Sequence, residues 1–107
     1  MSAQTTPTLL MPDDCQTMAE VRTGVDATDR ELMALLDRRF GYMRAAARIK
    51  PERASVRDEA RKAEVIANAR ADADARALPA DRIATLWNLL VETSIEYEFQ
   101  EWDRQRD

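Results

Sequence analysis

Residues 18–50 read MAEVRTGVDATDRELMALLDRRFGYMRAAARIK and predict one long helix. Within this stretch a series of positions recurs in alternating steps of three and four, namely 18, 21, 25, 28, 32, 35, 39, 42, 46 and 49. Most of these residues are apolar, as in the seam of a coiled coil, but Arg39 lies in the middle. Because arginine stays protonated in proteins, a buried one needs an anionic partner, either a side chain or a ligand.

Two further cations lie on the same predicted helix. Lys50 follows Arg39 by 11 residues, which places the two side chains about 20° apart in azimuth on one face. Arg22 precedes Arg39 by 17 residues and points about 100° away from it. Within one chain Arg22 therefore cannot easily reach a pocket formed by the other two cations, whereas across a dimer it can.

The whole chain of 107 residues predicts an all-α fold with one long and two shorter helices. We expect these helices at about 16–50, 58–76 and 80–104, with Asp14 or Thr17 as the first cap and prolines at both breaks. Residues 1–13 are polar and contain two prolines, so we expect a disordered tail followed by one helical domain over 14–107. No segment alternates apolar and polar residues as a strand does.

The apolar seam of the first helix is too long for the two shorter helices to cover. Apolar strips of this kind usually mark association, so we expect an intertwined helical-bundle homodimer. Gly24 and Gly41 lie inside the helix, where each costs about 1 kcal/mol relative to alanine. Either close approach between helices compensates for this cost, or both are tolerated surface glycines.

Composition excludes several classes of chemistry and of partner. The chain has no histidine and one cysteine, which removes His-based acid–base catalysis, Cys–His nucleophiles and ordinary zinc sites, and we expect neither a metal nor a cofactor. The net charge of −4 argues against nucleic acid as a partner. No apolar stretch approaches the roughly 20 residues of a membrane span, and no signal peptide is evident. We therefore expect a cytoplasmic protein.

A carboxyl group lies on the apolar line of the third predicted helix. Val91, Ile95, Glu98 and Trp102 follow one another in steps of four and three, and Ser94 lies four residues before Glu98. A buried acid on this helix and a base on the first one either form a structural ion pair, for example between Glu98 and Arg39, or line a polar pocket.

The start of the second predicted helix offers another candidate anion site. Asp58 suits the N-cap position, where its carboxylate accepts amide hydrogen bonds. Free amides at such a terminus also attract anions, and Arg61 lies on the first turn.

Three segments in this order resemble the all-helical chorismate mutase family. They are residues 18–50, VRDEARKAEVI at 56–66 and LVETSIEYE at 90–98. The family pattern has an arginine before an I/V-D-x-x-D stretch, an arginine 17 residues later, a lysine 11 further, and then V-R-D-x-x-R-E. The resemblance covers residues 16–102, and it implies a chorismate mutase-like helical domain over 14–107.

The resemblance implies a role for each matching residue. Arg22 matches the arginine that crosses to the other subunit's site, Arg39 the one that holds a substrate carboxylate, and Lys50 the lysine at the ether oxygen. Other substrate-binding positions are matched by Asp58, Arg61 and Ser94.

This chain departs from the pattern at Lys62, where the family usually has glutamate, and at Glu98, where glutamine is common beside the ether oxygen.

The implied reaction suits these residues. Chorismate is a dianion whose rearrangement to prephenate is a one-step pericyclic shift that needs no nucleophile, metal or cofactor. Arg22, Arg39 and Arg61 would clamp carboxylates and so hold the reactive conformation. Lys50 would place positive charge where the breaking C–O bond leaves negative charge.

Two alternatives remain open. The segments PDDCQTMAEVR, GYMRAAARIK and YEFQEWDRQR also resemble the isochorismate–pyruvate lyase branch of the family, which forms salicylate and pyruvate. The retained VRD at 56–58 favours the mutase. A non-catalytic helical dimerisation module is the other alternative, and it predicts that Arg39 and Glu98 neutralise each other and leave no cavity.

Overall fold

A computed structural model describes residues 10–107, which form three α-helices and contain no strand. The helices are α1 (Met18–Ile49), α2 (Glu59–Ala75) and α3 (Ala80–Gln105), and short 3-10 helices occupy Pro12–Asp14 and Arg53–Val56. The predicted all-α fold is confirmed, with helix boundaries within two residues of those expected. Most of the predicted tail, residues 1–9, lies outside the described residues.

The chain divides into two units, one ending at Arg39 and one formed by Phe40–Asp107. Helix α1 is continuous through the boundary. No helix in the part of the chain from residue 10 onward combines the length and the hydrophobicity needed to cross a membrane.

In the first unit, a reciprocal cap begins α1. The Thr17 Oγ1 accepts a hydrogen bond from the Glu20 amide (3.1 Å), and the Glu20 Oε1 accepts from the amides of Thr17 (2.9 Å) and Gln16 (2.8 Å). This is a capping box, and it satisfies amides that the first helical turn leaves unpaired. The amide bonds from Gln16 and Thr17 hold the pKa of Glu20 below its ordinary value. Thr17, the second of the two predicted caps, is therefore the residue at which the chain enters the helix.

The apolar seam of α1 is largely exposed. Its exposed large residues are Met18, Val21, Val25, Leu32, Leu35, Tyr42 and Ile49. A Cβ atom at Gly24 would meet no atom within 4 Å, so the chain itself provides no close approach at that glycine. One chain thus leaves much of this seam in water, as the sequence predicts.

In the second unit, a small apolar core joins α3 to the segment before α2. Val56, Val91 and Ile95 are buried, and partly buried residues packed against them are Val65, Phe99 and Trp102. Helices α2 and α3 also bury small residues, namely Ala69, Ala73 and Ala84. The part of α1 in this unit contacts α3 through Phe40 and Tyr97, whose rings meet edge to face at 5.0 Å. These contacts bring the end of α1 and the start of α2 to the same helix.

The turn between α2 and α3 is unusually tight for its sequence. Ala77 has a φ of 57°, in the left-handed region. The Leu78 amide donates to the Ala73 carbonyl (2.8 Å) and the Ala77 amide to the Asp74 carbonyl (3.2 Å). This is the hydrogen-bond pattern of a Schellman motif, in which glycine is the usual residue at the position of Ala77.

Candidate active site

The most deeply buried ion pair recorded in the described residues joins Lys50 to Glu98. The Lys50 Nζ lies 2.7 Å from the Glu98 Oε2, and the two side chains are 30% and 5% exposed. Lys50 follows directly after α1 and donates its amide to the Ala46 carbonyl (2.9 Å). Glu98 is thus a buried acid, as the apolar line on α3 predicts. Its ion pair with Lys50 was not anticipated by the sequence, and the suggested pairing with Arg39 stays a prediction.

Ser94 lies one turn before Glu98 and is also buried, with 3% exposure. Its hydroxyl donates to the Leu90 carbonyl at 2.7 Å. This bond uses the only proton of the hydroxyl, which leaves the oxygen able to act as an acceptor towards other groups. Two polar side chains, Ser94 and Glu98, therefore interrupt the buried face of α3 one helical turn apart.

Asp58 caps α2 as predicted. Its Oδ1 accepts the Arg61 amide at 3.0 Å, so the carboxylate itself already occupies this helix terminus. The Arg61 guanidinium forms an ion pair with Glu64 on the next turn, and both side chains are exposed. Asp58 thus meets Arg61 through its backbone, while the guanidinium of Arg61 points along the surface of α2.

Arg22 and Arg39 belong to the first unit. Arg22 is exposed and Arg39 is partly buried. The 17 residues between them correspond to roughly 25 Å along the axis of α1. Among the predicted site residues, the structure therefore brings Lys50 together with Glu98 and Asp58 together with the Arg61 amide.

A second carboxylate on α3 has two cationic partners that the sequence analysis did not pair. Arg57 binds Glu92 through both terminal nitrogens (2.8 and 3.1 Å), and Lys62 Nζ lies 2.7 Å from the same carboxylate. The hydrogen bonds from Arg57 and then Lys62 lower the pKa of Glu92 to about 2. Lys62 belongs to this cluster, and its departure from the glutamate usual in the family is the feature of the sequence that points to it.

A third group of contacts surrounds the end of α1, and the sequence analysis did not anticipate it. The Trp102 Nε1 donates to the Lys50 carbonyl at 3.0 Å. Arg106 donates to the same carbonyl (2.8 Å) and to the Ala47 carbonyl (3.0 Å). Trp102 lies on the predicted apolar line of α3, and its indole N–H is the feature that an apolar interpretation overlooks.

The Lys50–Glu98 pair has the chemistry of a site that can exchange one anionic partner for another. A lysine ammonium carries three donors, of which the carboxylate occupies one at 2.7 Å. Lys50 remains 30% exposed, whereas Glu98 is almost fully buried. Electrostatic attraction at such a partly dry position exceeds that in bulk water.

Comparison with known proteins identifies the family of the chain. The sequence profile of the chorismate mutase type II family matches residues 21–99, a stretch that includes both Lys50 and Glu98. The chain is also 26% identical over 95 residues to an isochorismate pyruvate lyase of Pseudomonas aeruginosa, an alignment that covers 89% of this chain and 94% of that protein. Since the profile spans most of the three helices, the chain belongs to the chorismate mutase type II family.

Proposed function

We propose that this protein is a chorismate mutase that converts chorismate to prephenate. The observation that carries the proposal is the Lys50–Glu98 pair, 2.7 Å across and mostly buried, within the stretch that matches the family. In this pericyclic reaction the ether C–O bond breaks as a C–C bond forms, and no group of the protein forms a covalent bond. Lys50 stabilises the negative charge that develops on the ether oxygen.

The carboxylates of the substrate require separate cationic partners. In the proposed site Arg22, Arg39 and Arg61 bind them, and Asp58 and Ser94 contact the remaining polar groups of the substrate. Arginine suits this task because its planar guanidinium binds a carboxylate through two parallel hydrogen bonds. Holding the extended substrate in its folded, reactive conformation lowers the activation free energy by an orientation effect.

The proposal includes a homodimer in which Arg22 of one chain completes the site of the other. It is supported by the exposed seam of α1 and by the roughly 100° offset of Arg22 from the face that bears Arg39 and Lys50. Inactive Arg22→Ala and Lys50→Ala variants, refolded together, should regain activity because one site of each heterodimer keeps both residues. If proven heterodimers regained none, both residues would come from one chain.

Isochorismate–pyruvate lyase activity is the second candidate, because the Pseudomonas aeruginosa relative carries that name and aligns over most of both chains. The same arrangement of cations around a dianion would serve either reaction. The V-R-D sequence of residues 56–58 matches the mutase pattern and favours that activity. A third outcome, a helical dimerisation module without catalysis, would leave both substrates unchanged.

The deciding experiment is incubation of the protein with chorismate and, separately, with isochorismate, followed by identification of the products. Prephenate is detected after acid converts it to phenylpyruvate, and salicylate by its fluorescence. Lys50→Ala is the control for contaminating enzymes. Prephenate formation that depends on Lys50 supports the proposal, salicylate formation alone supports the lyase, and neither product from the wild-type protein refutes both.

A further inference from the structure

Within the second unit, the C-terminal end of α1 contacts the C-terminal end of α3. A helix leaves its final carbonyl groups without partners in its own backbone. Here the Lys50 carbonyl accepts from both Trp102 Nε1 (3.0 Å) and Arg106 Nη2 (2.8 Å). The Ala47 carbonyl accepts from Arg106 Nη1 at 3.0 Å. The end of α1 is therefore capped by side chains of another helix.

Arg106 is held in the orientation that this cap requires. Its guanidinium lies 4.0 Å from the centre of the Trp102 ring, and Nη1 also donates to the Trp102 carbonyl at 3.3 Å. Stacking on an aromatic face and several hydrogen bonds restrict a side chain that would otherwise be mobile at the surface. A cation at this position also complements the negative end of the α1 dipole.

The C-terminal part of α3 and its C-cap residue contact both the side chain and the backbone of Lys50. Glu98 and Trp102 lie four residues apart on one side of α3, and Arg106 is the C-cap residue that follows the helix. Glu98 binds the Lys50 ammonium, while Trp102 and Arg106 bind its carbonyl. The backbone from which the ammonium extends is thus fixed to the helix that carries its carboxylate partner.

We propose that Arg106, with Trp102, is a positioning residue for Lys50 in the reaction. The inference rests on the proposed function, because it assigns the purpose of the cap to the placement of a catalytic ammonium. Arg106 does not touch the substrate. It limits fraying of the last turn of α1 and so keeps the Lys50 ammonium in reach of the ether oxygen.

Arg104 provides a matched control. It lies on the last turn of α3, two residues before Arg106, and forms an ion pair with Glu101, three residues earlier on the same helix. Loss of Arg104 therefore removes one positive charge from the end of α3 and leaves the recorded contacts of the Lys50 carbonyl intact.

The first test is steady-state kinetics with chorismate. Arg106→Ala should lower kcat about tenfold and change KM by less than about twofold, because small displacements of a catalytic group act on the transition state. Arg106→Lys, which keeps a donor and the charge, should recover part of kcat. Trp102→Phe should lower kcat in the same way. A kcat for Arg106→Ala equal to that of Arg104→Ala would overturn the proposal, as would an effect confined to KM.

The second test does not depend on activity and separates this proposal from the proposed function. The amide of Lys50 closes the last hydrogen bond of α1, to the Ala46 carbonyl. Its hydrogen exchange should be about tenfold faster in Arg106→Ala than in the wild type, and unchanged in Arg104→Ala. If the wild type converts neither substrate, the proposed function fails while exchange still decides whether Arg106 fixes Lys50. Unchanged exchange in Arg106→Ala would overturn the positioning role.

Discussion

Glu98 and Glu92 are the same residue type on the same helix, six positions apart, yet they differ in burial and in their cationic partners. The Glu98 side chain is 5% exposed and forms an ion pair with Lys50. The Glu92 side chain is 31% exposed and receives hydrogen bonds from Arg57 and Lys62. Because two cations already compensate Glu92, it acts as a fixed anion in the fold. Glu98 forms an ion pair with Lys50, whose side chain remains partly exposed to solvent.

The comparison teaches that burial decides how much a paired carboxylate contributes to stability. Exposed ion pairs are typically worth about 0–1 kcal/mol, because water screens them. Removal of one partner from a buried pair is far more costly, about 3–5 kcal/mol, because the remaining charge is left without compensation. We therefore expect substitutions at the Lys50–Glu98 pair to affect activity and stability more than substitutions at the Glu92 cluster.

The largest effect is expected for Lys50→Ala. Loss of the ammonium should lower kcat by at least about 10²-fold, comparable with the loss of one oxyanion donor. The measurement is kcat and KM with chorismate, and circular dichroism verifies folding. Because Glu98 would be left unpaired, the double variant Lys50→Ala with Glu98→Gln serves as the control for stability. A normal kcat with a raised KM would assign Lys50 to substrate binding alone.

The next largest effect is expected for Glu98→Gln. A carboxylate can only accept hydrogen bonds, whereas a glutamine amide can donate one to the ether oxygen. Glu98→Gln should therefore raise kcat/KM with chorismate at neutral pH, as steady-state kinetics would show. An unchanged kcat/KM would make Glu98 only the structural partner of Lys50.

A smaller effect, on stability alone, is expected for Glu92→Gln. Its pKa of about 2 in the folded protein lies below the ordinary value of 4.5, so the ionised form is the one that the fold stabilises. This stabilisation is complete above the unfolded pKa and is lost as pH falls from about 4 to about 2. Urea unfolding should show the variant less stable than the wild type at pH 7, with a smaller difference at pH 3. A difference that grew on acidification would contradict the assignment.

The smallest effect is expected for Lys62→Met. Glu92 keeps its two-pronged contact with Arg57, and methionine retains most of the aliphatic length of lysine. The urea midpoint should fall less than in Glu92→Gln, and kcat should change less than about twofold. A large loss of kcat would instead assign Lys62, the departure from the family pattern, to the substrate site.

The sequence predicts the helices well because local chemistry sets their limits. Thr17 and Glu20 form a cap within four residues, and Asp58 caps α2 through the neighbouring Arg61 amide. Burial of Glu98 was also predictable, since its spacing places it on the apolar line of α3. Such features depend on residues three or four apart, which helical periodicity relates directly.

Partners between helices were less predictable. The sequence places Arg39 and Lys50 on one predicted helical face, so it did not identify Lys50 as a partner of Glu98. The partner of Arg106 is a backbone carbonyl 56 positions earlier, and no side-chain pattern encodes it. Tertiary packing determines such contacts, and an arginine near the end of a charged helix gives no sign of its target.

The left-handed Ala77 has a consequence for how far this protein can be altered. A residue with a Cβ costs about 1 kcal/mol or more in that conformation, and glycine avoids the cost. The free energy of unfolding of a protein is only about 5–15 kcal/mol, and substitutions that change specificity usually lower it. Ala77→Gly should raise this free energy without touching the residues of the site, and so allow variants that would otherwise unfold. The methyl group of Ala77 therefore limits how many destabilising substitutions the protein can tolerate.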